Sequence, residues 1–146
     1  MREIYEYSDK GTYYSIAFDD FQYLIDQKDS KYVNHLAPLC QQCAEKYLKS
    51  IIVDSAVPLD DKELLKSHSL VKLAAYIDKN VIPLQIDRRE LRLLTDFYYD
   101  TQYPGDNFYI IDEVELDSGL ELLYTIKEIA DKFQNNLDKY KKSITD

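Results

Sequence analysis

Apolar residues recur at intervals of three and four positions through most long segments of this chain. Side chains with this spacing share one side of an α-helix, whereas a half-buried strand needs alternation at every second residue, and no clear run of that kind occurs. Only 3 glycines and 4 prolines are present, so few positions interrupt the pattern. The spacing therefore predicts an all-α protein.

The pattern divides the chain into helical segments that short polar linkers separate. We predict helices at residues 12–27, 31–53, 69–79 and 87–102, a short helical piece at 62–67, and one long final helix that begins near 112. Pro38 lies inside the second segment, where its ring removes an amide donor and crowds the preceding turn, so we expect a bend near His35 to Pro38. Short linkers favour antiparallel neighbours, which predicts an up-and-down four-helix bundle with an additional short helix.

Length and charge limit the classes of function. The 146 residues suit one domain, with a core over about 12–138. Eighteen basic and 27 acidic side chains give a net charge of −9, which repels phosphate backbones at long range and disfavours broad nucleic-acid binding. Apolar runs stay far below the ~20 residues that span a bilayer, and the first residues are acidic where a signal peptide would be apolar. We therefore expect a cytoplasmic protein without a membrane segment.

Cys40 and Cys43 are the two cysteines of the chain. A structural zinc site needs four ligands, and neither His35 nor His68 lies at zinc-finger spacing from them. Both thiols share a helical repeat with Tyr47, and free cysteine commonly behaves as a small buried hydrophobe. We predict core thiols, no metal and no cofactor.

Several stretches, in this order along the chain, resemble the HEPN family of small helical domains. Residues 16–21 (IAFDDF) are similar to its first-helix pattern, and residues 41–49 (QQCAEKYLK) resemble its second-helix signature, in which glutamines precede Ala-Glu-Lys. Residues 68–70 (HSL) resemble its entry to the third helix, and residues 98–99 and 103–106 (YPGD) look like its tyrosine-rich helix end and proline turn. The resemblance covers about residues 13–137 and implies a HEPN-like helical domain.

The resemblance implies more than one activity. Some HEPN members are metal-independent ribonucleases, often toxins paired with a minimal nucleotidyltransferase antitoxin, whose motif is an arginine followed four to six residues later by a histidine. Others are thought to bind nucleotides or to act only as dimeric partners. The arginines here are Arg2, Arg88, Arg89 and Arg92, and none has a histidine at that spacing. Gln102 also stands where relatives with a similar proline turn often carry arginine.

We therefore expect a noncatalytic binding or regulatory module. The resemblance implies a homodimer, a nucleotidyltransferase-like partner in a toxin–antitoxin-like system, or a nucleotide or RNA ligand. The alternative is a ribonuclease with a divergent site, assembled across a dimer from His68, Arg92 and nearby tyrosines.

Gln42, Lys46 and Lys49 form a polar stripe on the second helix. Lysine is a mobile point charge suited to phosphate, so the stripe is a candidate for binding a nucleotide phosphate or an acidic partner surface. The alternative is a solvated helix face on which Glu45 and Lys49 pair at i,i+4, a contact that contributes only ~0.3–0.5 kcal/mol.

His68 is a candidate for proton transfer, because imidazole ordinarily titrates near neutral pH. The alternative is a residue at a helix start that bonds to the backbone.

Four tyrosines, Tyr98, Tyr99, Tyr103 and Tyr109, form the densest aromatic cluster of a chain with 14 tyrosines. Tyr99 and Tyr103 are candidates for stacking a base, and packing in the core or at a dimer interface is the alternative. Three aspartates lie nearby in the sequence, and we interpret them as a solvated rim because surface aspartates alone make weak magnesium sites: Asp96, Asp100 and Asp106.

Overall fold

The computed structural model describes residues 1–145, which are helical apart from the connecting segments and contain no strand over that range. Its elements are α1 (Tyr13–Gln27), α2 (Val33–Asp54), a 3-10 helix (Lys62–Lys66), α3 (Leu70–Asn80), α4 (Arg88–Asp100) and α5 (Glu113–Thr145). The predicted all-α bundle is confirmed. Over residues 1–145 it contains five α-helices, and the short piece predicted before the third of them is the 3-10 helix.

The α2 helix is central, because it packs against α1, α3, α4 and α5. Its predicted apolar stripe is buried, including Cys40, Cys43 and Tyr47. Burial of a large apolar side chain stabilises a fold by ~1.5–3 kcal/mol, so this stripe makes a large contribution to holding the bundle together. Polar residues of α2 are buried too, among them Gln41 and Glu45, so neighbouring helices cover more than one of its faces.

Side-chain caps fix where the helices begin. Thr12 caps α1, Ser69 caps α3 and Asp87 caps α4, each by accepting a hydrogen bond from a backbone N–H of the first turn. The reciprocal capping box occurs at α5, where the Asp112 N–H donates to Glu115 Oε1 at 3.2 Å and the Glu115 N–H donates to Asp112 Oδ1 at 2.8 Å. The final helix thus begins where the sequence predicts it.

Asn34, near the start of α2, holds the connection between α4 and α5. Its side-chain nitrogen donates to the carbonyls of Thr101 and Tyr109 at 3.2 and 3.1 Å, and its oxygen accepts from the Ile111 N–H at 2.8 Å. One amide thereby satisfies three backbone groups of the connection. Along the same helix α2 is assigned as continuous through Pro38, and the bend there stays a prediction.

Gly119 lies where α5 crosses α4. Glycine inside a helix costs ~1 kcal/mol relative to alanine, but a Cβ at this position would lie 2.8 Å from Phe97 Cε2. The phenyl ring occupies the space of the missing side chain, so the glycine permits the close approach of the two helices.

Over residues 1–145, none of the helices combines the length and the apolar character that crossing a bilayer requires.

Candidate functional site

Glu45 joins three side chains into one network. Lys49 Nζ donates to Glu45 Oε2 at 2.8 Å, Gln41 Nε2 donates to Glu45 Oε1 at 3.2 Å, and His68 Nδ1 lies 2.9 Å from the same Oε1. The Lys49 and Glu45 side chains are only 6% and 10% exposed. The solvated interpretation of this pair therefore does not hold, because the start of α3 and the rest of the bundle cover it.

The geometry of α2 sets up this network. Gln41, Glu45 and Lys49 are spaced by four, so they lie one above the other on one side of the helix. Gln41 also donates to the backbone carbonyl of His68 at 2.9 Å, and the Leu70 N–H donates to Thr95 Oγ1 at 3.1 Å. These two bonds hold the residues before α3 between α2 and α4, which brings the imidazole to the carboxylate.

His68 stacks on a tyrosine of α4. Its ring lies against the Tyr98 ring with centroids 4.5 Å apart and an interplanar angle of 21°, and it meets the edge of Tyr99 at 6.4 Å. The side chain of His68 remains 40% exposed. A carboxylate on one nitrogen and an aromatic face on one side fix the orientation of the ring, and the rest of it faces solvent. The interpretation as a residue that only bonds to the backbone at a helix start is incomplete, since the ring has its own partners.

Tyr98, Tyr99 and Tyr103 extend this surface, and with His68 we call them the histidine–tyrosine cluster. Tyr98 contacts Tyr99 edge-on at 4.8 Å and Tyr103 at 6.1 Å, and a hydrogen bond with Tyr103 raises the pKa of Tyr98. Tyr99 and Tyr103 are 48% and 49% exposed. They are not core residues of this chain, so their rings are accessible to a ligand or to another protein.

The three members of the predicted stripe lie in different surroundings. Lys46 Nζ donates to Asp20 Oδ2 on α1 at 2.5 Å, with 28% of each side chain exposed, whereas Lys49 belongs to the Glu45 network. Gln42 lines a cavity of about 450 Å³ between α2 and the end of α4, together with His35 and Phe108. The three side chains share one face of α2 by their spacing but have different partners, and their action as one binding site stays a prediction.

Arg92 lies exposed on α4. Its charged neighbour is Asp96, whose pKa is raised by burial and by Asp100 and lowered by the arginine. His68, in contrast, contacts Glu45 and the tyrosines. The composite site of His68 and Arg92 across a dimer therefore stays a prediction.

The aspartates of the predicted rim differ in exposure. Asp96 and Asp100 are half-buried and Asp106 is exposed. Among residues 1–145, no group of three or more histidine, cysteine, aspartate and glutamate side chains is arranged to hold a metal ion.

The prediction of core thiols is confirmed. Cys40 and Cys43 are free and buried, and the Cys43 thiol donates to the Ala17 carbonyl at 3.3 Å. Burial raises the pKa of Cys40 to about 12 and raises that of Cys43 as well. Both groups are therefore neutral packing elements.

Sequence reasoning missed the roles of Glu45 and Gln41. A signal was present, because residues 41, 45 and 49 repeat at steps of four directly beside the apolar stripe that contains Cys40. A polar line next to a core stripe is expected to be partly covered by the neighbouring helices of a bundle. The partner His68 is far along the chain, so the contact itself had no local signal.

Comparison with models of known protein families gives a match that covers most of these helices. A family model described as HEPN domain matches residues 12–136, from the cap of α1 into the second half of α5. Neither the curated proteins nor the solved structures contain a significant match to the chain.

Proposed function

The chain belongs to the HEPN domain family, and from this premise we propose that it acts as a noncatalytic HEPN-type binding or regulatory module. The observation that carries the proposal is the pair of exposed rings of Tyr99 and Tyr103, on a chain in which Glu45 holds the stripe lysine Lys49 away from solvent. The Lys49 ammonium is bound to a carboxylate of its own helix and is therefore not free to contact a phosphate. Recognition then falls to the exposed rings of the histidine–tyrosine cluster.

A nucleotide base is one ligand that fits this surface. Stacking of a base on an aromatic side chain contributes ~1–3 kcal/mol per base and needs only an accessible ring face, which Tyr99 and Tyr103 offer. Lys46 keeps part of its side chain exposed and can exchange Asp20 for a phosphate. On this version of the proposal, the module senses a nucleotide.

A protein is the other ligand that fits. Tyrosine rings combine an apolar body with a polar tip and are enriched at protein interfaces. This version includes a homodimer and a nucleotidyltransferase-like partner in a toxin–antitoxin-like pair, acting in the cytoplasm. Light scattering on the pure protein tests the homodimer, and co-purification with the product of a neighbouring nucleotidyltransferase reading frame tests the partner.

Thermal unfolding in the presence of a nucleotide panel tests the ligand. A ligand at one hundred times its Kd stabilises the folded state by ~2.7 kcal/mol, so a binding nucleotide raises Tm. We expect Tyr99→Ala to abolish the rise and Tyr23→Ala, an exposed tyrosine on α1, to keep it. A panel that gives no shift at millimolar concentration removes the nucleotide version and leaves the protein version.

The second candidate function is RNA cleavage, and the contact between Glu45 and His68 favours it. A carboxylate 2.9 Å from Nδ1 of a partly exposed imidazole is an arrangement that orients a histidine for proton transfer. Incubation of the pure protein with RNA distinguishes the two functions. Cleavage that His68→Ala abolishes and His35→Ala retains would overturn the noncatalytic proposal.

A further inference from the structure

A cleft with apolar walls separates α4 from α5. It encloses about 210 Å³, and its apolar lining comes from both helices: Leu93, Leu94, Phe97, Val114 and Leu122. Gly119 and Ser118 line it from α5 as well, so small residues leave the α5 backbone close to the opening. The cleft uses a different face of α4 from the one that Tyr98 presents to His68.

The rim of this cleft exposes apolar side chains on both walls. Leu93 on α4 is 63% exposed and Val114 on α5 is 72% exposed. Single apolar residues on a surface are ordinary, but apolar residues that face each other across a groove are typical of an interaction site. Covering them with a partner removes apolar surface from water, which favours association.

The charged side chains in the lining of the cleft are both acidic. Glu90 on α4 and Glu115 on α5 are the charged side chains of its lining, one on each wall. Tyr109 also lines the cleft, and its pKa is raised by burial and then by Glu115, Asp96 and Asp100. The apolar lining is therefore bordered by one carboxylate on each wall, Glu90 and Glu115.

We propose that the α4–α5 cleft docks an amphipathic helix of a basic partner protein, with an apolar stripe against Leu93 and Val114 and lysine or arginine side chains against Glu90 and Glu115. The lining of α4 runs from Glu90 to Phe97, which is about two helical turns. A helix that binds in a groove contacts it through apolar residues at i, i+3 or i+4, and i+7. These positions also span about two helical turns. This surface is separate from the histidine–tyrosine cluster, so the inference goes beyond the proposed function.

Charge argues against a second copy of this chain as the occupant. A two-fold contact through the cleft would place Glu90 and Glu115 near the same residues of the copy, and each chain carries a net charge of −9. Like charges that face each other across an interface are unfavourable, whereas a basic helix supplies the opposite sign.

Two synthetic helical peptides test the proposal on the full chain. Both carry leucine at helical spacing on one face, and one has lysine on the flanking positions where the other has glutamate. We expect the lysine peptide to bind, measured by calorimetry, and the glutamate peptide to bind at least tenfold more weakly. Circular dichroism checks that each variant is folded.

Leu93→Asp is the decisive variant, because it removes an apolar contact and adds a negative charge. Docking in the cleft predicts at least tenfold weaker binding of the lysine peptide, and Val114→Asp should act in the same way. Val57→Asp adds the same charge at an apolar loop residue outside the cleft and should leave binding unchanged.

Three results would overturn the proposal. If the Leu93→Asp variant binds the lysine peptide as tightly as the wild-type chain or more tightly, the peptide is attracted by overall charge and not by the cleft. If the lysine and glutamate peptides bind equally, the acidic rim has no role. A dimer that Leu93→Asp dissociates in light scattering would make a second copy the occupant. None of these measurements depends on Tyr99, so failure here is distinct from failure of the nucleotide experiment.

Discussion

At the scale of single residues, Glu45 has the largest consequences. Its carboxylate accepts from Lys49 and Gln41 and lies against His68 while being almost fully covered. Breaking a buried ion pair from one side leaves an uncompensated charge in a poor solvent. The energetic importance of Glu45 therefore exceeds that of a surface pair at the same spacing.

We predict that Glu45→Gln lowers the free energy of unfolding by ~3–5 kcal/mol, because it strands the Lys49 ammonium. Urea denaturation measures the change. Glu63→Gln is the matched control, since its pair with Lys66 is exposed and such pairs contribute at most ~1 kcal/mol. Recovery of stability in the double variant Glu45→Gln with Lys49→Met would support this cause, and equal losses for Glu45 and Glu63 would contradict it.

The two thiols give a prediction about reactivity. Burial raises the pKa of Cys40 to about 12, and only the thiolate reacts with disulfide reagents. At neutral pH the native chain should react slowly with such a reagent, and two thiols should react at once in guanidinium chloride. A Ser143→Cys variant, exposed near the end of α5, should add one fast equivalent. Prompt labelling of two thiols in the native wild-type chain would contradict the buried assignment.

At the scale of helices, the close approach of α4 to α5 limits which side chains α5 can carry at residue 119. The phenyl ring of Phe97 is buried and fills the space above Gly119. Alanine has the better helix propensity by ~1 kcal/mol, but overpacking of a filled site costs ~1–3 kcal/mol. The two effects have opposite signs. The separation of 2.8 Å between a Cβ at residue 119 and Phe97 Cε2 indicates that the cost of overpacking is the larger one.

We therefore predict that Gly119→Ala lowers the free energy of unfolding by ~1 kcal/mol, in spite of its better helix propensity. Chemical denaturation measures it, with the exposed neighbour Ser118→Ala as control. In a Phe97→Leu background the same change should become neutral or stabilising, because the ring edge is gone. A stabilising Gly119→Ala in the wild-type background would show that the ring moves aside at little cost.

The helices were predictable from sequence to within a few residues because the signals are local. Three-to-four periodicity, the Thr12, Ser69 and Asp87 caps and the entry at Asp112 each depend on residues within one or two turns. The site was less predictable. The sequence places Lys49 on a polar stripe but cannot show that it is covered, because a single helix does not reveal its neighbours. The contact between Glu45 and His68 joins residues 23 positions apart.

At the scale of the whole molecule, α2 connects the parts of the bundle. Every other α-helix packs against it, so separating any one of them exposes buried surface of α2. Such an arrangement favours one cooperative unfolding transition. The prediction of one domain with a core over about 12–138 depends on this behaviour.

We predict that circular dichroism and tyrosine fluorescence give coincident unfolding curves for the full chain. A variant that ends at residue 138 should have a midpoint close to that of the full chain, because residues 139–144 are exposed. Two separate transitions, or a large loss of stability in the shortened chain, would contradict a single unit with that boundary.

Asn34 has a practical consequence for protein engineering. Its amide fixes the connection between α4 and α5 at residues 101, 109 and 111, so the intervening stretch 102–108 is held at its two ends by the same side chain. We expect extra residues inserted there to leave the three anchored backbone groups in place, although they would interrupt the hydrogen bond from the Phe108 N–H to the Gly105 carbonyl. A small epitope or a fluorophore-binding sequence grafted between Gly105 and Asn107 should therefore place a detectable label beside the tyrosine surface without altering the path of the helices. Binding of a ligand or protein at that surface should then change the signal of the label.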